Sequence, residues 1–160
     1  MAKPDGERMG VVAALVRSSF LVNAVYAEAA RDYGLTAQQG QLLCVLMPGP
    51  YGMTELGRTL GLAKSSLTGL VDRTMQRGLV RREPDPEDGR AVRVALTDEG
   101  GEVVEKFYAE TCRRVDALPA GLPESDRETL AELLGRVVFA NKVPVVFAEA
   151  DEAATAARER

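Results

Sequence analysis

The segment from residue 53 to residue 100 constrains the fold of this chain more than any other feature. It reads MTELGRTLGLAKSSLTGLVDRTMQRGLVRREPDPEDGRAVRVALTDEG. A short helical pattern ends at Gly61, and a second helical pattern runs from residue 64 to residue 77. Two strand-like segments then flank DPEDGR, whose residue types are those of a hairpin turn. The segment therefore predicts two helices joined by a tight turn and followed by a β-hairpin wing.

Helical patterns flank this segment on both sides. Two apolar stripes run along a predicted helix at 7–33, so one side can cover its own domain and the other can meet a partner helix. Thr36 and Gln39 form a capping box for a helix that runs to about Met47. After the hairpin, Thr97 caps a long helix, and a last helix must kink or end at the proline at position 144.

The length of 160 residues suits a single domain with a sizeable core. We expect a mainly α fold with a small β-hairpin wing, in which residues 36–97 form a winged helix-turn-helix lobe. Residues 7–33 and 98–148 would form a helical dimerisation region, and residues 149–160 a mobile tail.

Composition excludes several classes of function. The chain has no histidine, and its two cysteines, Cys44 and Cys112, lack CxxC spacing. Histidine-based catalytic and zinc sites are therefore excluded, and we expect no enzyme, metal or cofactor. A polar N-terminus, and no uninterrupted apolar stretch near the ~20 residues of a membrane span, predict a cytoplasmic protein.

The net charge of −4 is unevenly distributed. Residues 58–93 hold eight basic and five acidic side chains, a net charge of +3, and the remainder carries −7. The basic residues are Arg58, Lys64, Arg73, Arg77, Arg81, Arg82, Arg90 and Arg93. A basic lobe on an acidic body favours binding to a phosphate backbone through one face, although a solvated charged surface would show the same pattern.

The second helix and the hairpin tip carry the residues that suit DNA. Ser65, Ser66 and Thr68 are small hydroxyl side chains near a helix N-terminus, where they allow close approach to base edges. Arg90 follows the hairpin turn, where a guanidinium can enter a narrow minor groove. Asp88 is placed to hold that side chain extended through a charge-assisted hydrogen bond. Together these features predict a sequence-specific DNA-binding regulator.

The segment resembles the winged helix-turn-helix of the multiple antibiotic resistance regulator (MarR) family. The resemblance rests on LTGLVDR at 67–73, GLVRR at 78–82 and DGRAVRVALTDEG at 88–100. The last motif contains the family's Asp-x-Arg wing and its Leu-Thr-x-x-Gly start of the next helix. The helix order fits the family over essentially the whole chain, whereas motif similarity is confined to residues 53–100.

The resemblance implies a homodimer, closed by the first helix and the last two, that binds a palindromic DNA operator, most often as a repressor. Base contacts would be made by Ser65, Ser66 and Thr68. Arg73 would contact phosphate, and Arg90, oriented by Asp88, would enter the minor groove. Supporting electrostatic contacts would come from Lys64, Arg77, Arg82 and Arg93. Two positions depart from the family pattern: Gly69, where the family often has an arginine that reads a base, and Thr74, where it prefers leucine.

Family members often release DNA when a small aromatic or phenolic ligand binds between the dimer helices and the winged lobe. The resemblance therefore implies such an effector here, and polar residues within the first helix are its candidate contacts. Asn23 interrupts an apolar stripe, with Arg17 and Tyr26 on nearby turns, and Arg17 would suit a carboxylate. The alternative is that Asn23 makes an interhelical hydrogen bond and Arg17 an ion pair.

Two other functions stay open at this point. The first is a thiol-redox regulator of the same fold. Cys44 lies in the apolar run LLCVLM, which favours burial, whereas Cys112 precedes two arginines, which favour a thiolate. The family's peroxide sensors have their cysteine early in the first helix, where this chain has none. The second is a winged-helix module that binds a protein partner and no DNA, which Gly69 favours and Arg90 opposes.

Overall fold

The computed structural model describes residues 9–143 and 146–147. Within them the elements are α1 (Val11–Asp32), α2 (Ala37–Leu46), β1 (Tyr51–Gly52), α3 (Met53–Leu60), α4 (Lys64–Gln76), β2 (Val80–Pro84), β3 (Val92–Leu96), α5 (Asp98–Asp116) and α6 (Glu124–Ala140). Helices with one small antiparallel sheet confirm the predicted fold class. The predicted helix start at residue 7, the proline at 144 and the tail at 149–160 lie outside the described residues.

Local signals end and begin the helices where the sequence predicts. The Thr36 hydroxyl accepts a hydrogen bond from the Gln39 N–H at 3.1 Å, and the Gln39 side-chain oxygen accepts one from the Thr36 N–H at 3.0 Å. This is the predicted capping box at the start of α2. Gly61 ends α3 in the left-handed conformation, with φ of 65°. The Thr97 hydroxyl caps α5 by accepting from the Gly100 N–H at 3.0 Å.

The three strands form an antiparallel sheet in the order β1, β3, β2. β2 pairs with β3 from Val80 opposite Leu96 onward, which confirms the predicted hairpin. β1 pairs Tyr51 with Val94 and was missed by sequence analysis, because a strand of two residues is too short to show alternation. This third strand holds the start of α3 against the base of the wing.

One apolar core joins the C-terminal half of α1 to the helix-turn-helix and α5. Its largest fully buried apolar side chains are Phe107, Leu42, Leu43, Leu46, Leu56, Leu67, Leu70, Val71, Val94 and Val104. α5 approaches the start of the hairpin closely, because a Cβ on Gly100 would lie 1.8 Å from the Leu79 carbonyl oxygen. The core therefore fixes α4 and the wing relative to α5.

Two helices present apolar side chains to solvent. In α1 the buried residues are Tyr26, Ala29 and Ala30, whereas Val12 and Phe20 are 74% and 72% exposed. No residue within α6 is buried. Both belong to the set expected to form the dimer, which was the first helix and the last two.

By length and composition alone, α1 is apolar enough to cross a membrane. Arg17 interrupts its apolar sequence, so the statement that no uninterrupted apolar stretch approaches the length of a membrane span still holds. The last turns of α1 pack into the core of the lobe, as expected of a helix shared between a core and a second apolar surface.

Candidate nucleic-acid interface

The N-terminal turn of α4 is exposed and has no side-chain cap. Gly61 turns the chain between α3 and α4 in a conformation that glycine adopts without strain. Ala63 is the N-cap and offers no acceptor to the first N–H groups of the helix. Lys64, Ser65 and Ser66 follow and are exposed. This end of α4 combines free N–H groups, a cation and hydroxyls, which suits DNA phosphates and base edges.

Thr68 and Arg73 lie further along α4. Thr68 is partly exposed, and its hydroxyl donates to the Lys64 carbonyl at 2.9 Å, which leaves its oxygen lone pairs and methyl group for a base edge. Arg73 is exposed, and its Nη1 lies 3.1 Å from where a Cβ on Gly69 would be. The guanidinium thus lies over Gly69, where the family often has an arginine. The missing side chain at position 69 makes room for Arg73.

Thr74, the second departure from the family pattern, is accommodated in the core. Its side chain is fully buried, and its hydroxyl donates to the Leu70 carbonyl at 2.7 Å. The hydroxyl is therefore satisfied within α4, and the threonine leaves no unpaired polar group in the core.

The hairpin tip presents Arg90 to solvent. The Asp85 carboxylate accepts from the Glu87 N–H at 2.9 Å, and the Asp88 carboxylate accepts from the Arg90 N–H at 3.0 Å. Asp88 was predicted to bind the Arg90 guanidinium. It binds the Arg90 backbone instead, because the tight turn brings that N–H closest, and no ion pair joins the two side chains in the described part of the chain. The Asp-x-Arg motif thus shapes the turn that projects Arg90.

The arginines at the base of the wing are paired with acidic side chains. Glu83 lies 3.2 Å from an Arg81 nitrogen and 2.8 Å from an Arg93 nitrogen. Arg82 lies 2.7 Å from Asp72 and so joins β2 to α4. Arg82 and Arg93 were predicted as supporting DNA contacts. In the free protein Arg82 joins the wing to α4 and Arg93 joins the two strands of the wing, and each is paired with a carboxylate.

Arg77 connects two parts of the lobe. Its guanidinium donates to the Gly34 carbonyl and, at 3.3 Å, to the Gln39 side-chain oxygen that also caps α2. Arg77 was predicted as an electrostatic DNA contact. In the structure its side chain instead binds at the junction of α1 and α2, because α4 ends beside that junction.

Four cations of the lobe have neither an acidic partner nor a side-chain hydrogen bond among residues 9–143 and 146–147. They are Arg58, Lys64, Arg73 and Arg90, and all four are exposed. Sequence analysis counted Arg58 only in the charge balance, although its position within the helix-turn-helix could have marked it as a candidate contact. DNA phosphates would supply the counter-charges that these side chains lack.

The three predicted effector residues do not form one site. Arg17 and Asn23 are exposed on α1, whereas Tyr26 is buried and its hydroxyl donates to the Cys44 sulfur at 3.6 Å. Nine positions place Arg17 and Tyr26 half a turn apart on the helix, and therefore on opposite sides. Their spacing in the sequence could already have shown that Arg17 and Tyr26 lie on opposite sides of α1.

Cys44 should be unreactive in the folded protein. Burial raises the pKa of its thiol to about 12, and the thiolate is the reactive form. At pH 8 we expect the native protein to react with Ellman's reagent at no more than one thiol per chain, Cys112, which is only partly buried. Cys44 should react after unfolding in urea. A fast native reaction that persists in Cys112→Ser would contradict the burial of Cys44.

Comparison with known proteins agrees with this geometry. The family model described as MarR family matches residues 33–91. The chain is 31% identical to the HTH-type transcriptional regulator PecS of Dickeya dadantii over 137 residues, which cover 83% of this chain and 82% of PecS. The fold matches apo MarR of E. coli, the multiple antibiotic resistance repressor, with a TM-score of 0.75 and 25% identity over 83% of this chain and 99% of MarR. NadR in complex with 4-hydroxyphenylacetate matches with a TM-score of 0.66 and 23% identity over 85% of this chain and 97% of NadR, which shows the fold alone.

The exposed start of α4, the wing and these similarities define a DNA-binding transcriptional regulator of the winged helix-turn-helix class, and not an enzyme. The chain belongs to the MarR family.

Proposed function

We propose that this protein acts in the cytoplasm as a homodimeric repressor that binds a palindromic operator and releases it when a small aromatic or phenolic effector binds. The observation that carries the proposal is the set of unpaired cations on α3, α4 and the wing of a chain whose net charge is −4. In this proposal residues 36–97 bind DNA, and residues 7–33 and 98–148 form the dimer. Similarity to the repressor MarR supports repression rather than activation.

Each protomer would place the start of α4 in a major groove and the wing against the neighbouring minor groove. Ser65, Ser66 and Thr68 would meet base edges. Arg73 would bind phosphate, and Arg90 would enter the minor groove. Two-fold symmetry then predicts two half-sites about one helical turn apart, roughly 10 bp.

Thr68→Ala should relax the base preference at one position of each half-site. The change removes a methyl group and a hydroxyl oxygen that both discriminate base edges, so the operator should lose roughly 1 kcal/mol of preference there. Fluorescence anisotropy with single-base variants of the operator measures this. Thr129→Ala is the matched control, because the exposed Thr129 hydroxyl makes the same bond one turn back, to the Ser125 carbonyl at 2.8 Å. If Thr68→Ala kept the wild-type base preference at every operator position, Thr68 would not contribute to base recognition.

The apolar surfaces of α1 and α6 support the dimer. Their exposed large apolar residues are Val11, Val12, Leu15, Val16, Phe20, Leu21, Val22, Leu130, Leu133, Leu134, Val137, Val138 and Phe139. A cleft of about 800 Å³ lies between the helices, with Leu21 and Val22 on one wall and Leu130 and Leu134 on the other. A soluble monomer rarely exposes so much contiguous apolar surface, and a second copy supplies the same helices by symmetry.

Val137→Glu should convert the protein into a monomer that no longer binds the operator tightly. A carboxylate in an apolar interface is costly to bury, and one lobe can contact only one half-site. Light scattering should give twice the chain mass of 17.2 kDa for the wild type and the single mass for the variant. Val92→Glu is the control for the light-scattering measurement alone, because Val92 lies on the wing, outside the proposed dimer surface, and is 43% exposed against 46% for Val137. A wild-type protein that is monomeric would contradict the proposal.

The proposed effector class follows from similarity of fold. NadR is known in complex with 4-hydroxyphenylacetate, which shows that this fold can hold a phenolic carboxylate. Arg17 and Asn23 stay candidate contacts for the carboxylate, since both are exposed on α1. A screen of phenolic acids for loss of anisotropy of the operator complex identifies the effector. Unchanged induction in Arg17→Ala and Asn23→Ala would exclude these two residues.

A further inference from the structure

The exposed face of α4 has a gap in its middle, at Gly69. Gly69 follows Ser65 by four positions and Ser66 by three, so it lies one turn beyond these two exposed hydroxyls on the same face. The buried Leu67 and Val71 each stand two positions away, about 200° around the helix axis and therefore on the opposite side. Because Gly69 has no side chain, α4 leaves free space on the face that a helix in the major groove turns towards the base edges.

The Arg73 guanidinium occupies this gap. Arg73 follows Gly69 by four positions, and long side chains on a helix point back towards its N-terminus. Its Nη1 lies 3.1 Å, and its Cζ 4.0 Å, from the point where a Cβ on Gly69 would be. Four residues turn an α-helix by about 400°, so the Cβ of Arg73 itself lies about 40° to one side of Gly69. The glycine therefore lets the guanidinium move from the flank of the exposed face towards its middle.

The guanidinium of Arg73 is not engaged within the lobe. Arg73 is exposed and has neither an acidic partner nor a side-chain hydrogen bond in the part of the chain that the structure describes. Its neighbour Asp72 pairs with Arg82 instead, at 2.7 Å. A guanidinium presents N–H donors in a planar fork, and two of them match the O6 and N7 acceptors of guanine in the major groove. A phosphate needs only the positive charge, whereas the position over Gly69 also gives the fork a direction.

We propose that Arg73 reads a guanine in the major groove through the space that Gly69 leaves, and that the two residues determine specificity together. This proposal rests on the binding of DNA by α4 proposed above, and it gives Arg73 a base in place of a phosphate. The guanine lies at a different operator position from the base met by Thr68, because Thr68 stands about 100° around the helix from Gly69. Alanine is the better helix former at such a position, so the glycine serves the contact and not the stability of α4.

Arg73→Lys tests the fork while it keeps the charge. Lysine carries a single ammonium group and cannot make the two parallel bonds, so the preference for guanine at one position of each half-site should fall about tenfold. The dependence of affinity on salt should not change. Arg58→Lys is the matched control, because Arg58 is an exposed, unpaired arginine on α3, and it should keep every base preference. Anisotropy with single-base variants of the selected operator measures both, and an Arg73→Lys variant with wild-type preference at every position would overturn the proposal.

Gly69→Ala tests the space. The added Cβ displaces the guanidinium, so the same guanine preference should fall about threefold or more, and it should not change when Arg73 is already alanine. Circular dichroism and urea unfolding check that Gly69→Ala is at least as stable as the wild type. A loss of equal size with and without Arg73 would mean that the new methyl group meets DNA directly, and it would overturn the link between the two residues.

A modified operator tests the contact from the DNA side. Replacing the guanine by 7-deazaguanine removes the N7 acceptor, which should weaken wild-type binding about tenfold and leave the binding of Arg73→Ala unchanged. Equal weakening of the two proteins would overturn the proposal. A wild type that prefers one operator, with Arg73 variants that share its base preference, would reject this contact alone. A wild type without any operator preference would reject the proposed function and the contact with it.

Discussion

Gly100→Ala is expected to lower the free energy of unfolding by about 3 kcal/mol or more, and the melting temperature by roughly 10 °C. A Cβ at this position would lie 1.8 Å from the carbonyl oxygen of Leu79 and 2.8 Å from its carbonyl carbon. Both are backbone atoms, so no side-chain rotation relieves the overlap. Either α5 or the start of the hairpin must move. Urea unfolding followed by circular dichroism measures the loss.

Gly101→Ala provides the matched control one residue further along α5. A Cβ there would meet nothing within 4 Å, and alanine is the better helix former, so stability should stay equal or rise by about 0.5–1 kcal/mol. Equal stability of the two variants would contradict the close approach of α5 to Leu79. The contrast also explains the glycine that ends the Leu-Thr-x-x-Gly motif, because only glycine lets the wing dock on α5 at this distance.

Arg90→Ala is expected to weaken operator binding by about tenfold to a hundredfold. Hydrogen bonds to charged groups are worth about 1.5–3 kcal/mol, and each 1.4 kcal/mol is a factor of about ten in affinity. The slope of log affinity against log salt concentration should also fall by about 1, because one phosphate-neutralising charge is lost. The guanidinium has no acidic partner in the described part of the chain, so its whole charge is available to DNA. Anisotropy titrations at several salt concentrations measure both effects.

Arg113→Ala removes the same charge from a place outside the lobe. Arg113 lies on α5, is 69% exposed and pairs with Glu110 at 2.7 Å. We expect wild-type operator affinity and an unchanged salt slope for this variant. If Arg113→Ala and Arg90→Ala lost the same affinity, net charge alone would explain the binding and Arg90 would have no special place in it.

The parts of the fold that the sequence predicts are those specified by adjacent residues. The capping box of Thr36 and Gln39, the left-handed Gly61 and the turn between β2 and β3 each depend on a few neighbours in the chain. β1 depends instead on a partner strand more than forty positions away, and its two residues carry no pattern of their own. It could only be seen once the hairpin had been placed.

In the candidate site, too, the features set by neighbouring residues could be predicted, and those set by packing between elements could not. Exposure of Lys64, Ser65 and Ser66 follows from the periodicity of α4, and the structure agrees with it. The partners of Arg77, Arg82 and Arg93 depend on which elements pack side by side, and spacing along the chain does not encode that. The same applies to Phe147, which follows α6 and whose ring contacts those of Tyr26 on α1 and Tyr108 on α5.

We propose that this chain is a dimeric regulator that recognises a particular DNA sequence through α4 and the wing. The decisive experiment is a selection from random duplexes with the purified protein, followed by affinity measurements at several salt concentrations. We predict an enriched palindrome with half-sites roughly 10 bp apart and an affinity that falls steeply as salt rises. A folded dimer that enriches no sequence and shows no salt-dependent binding would reject the proposed function and favour a protein partner for the winged lobe.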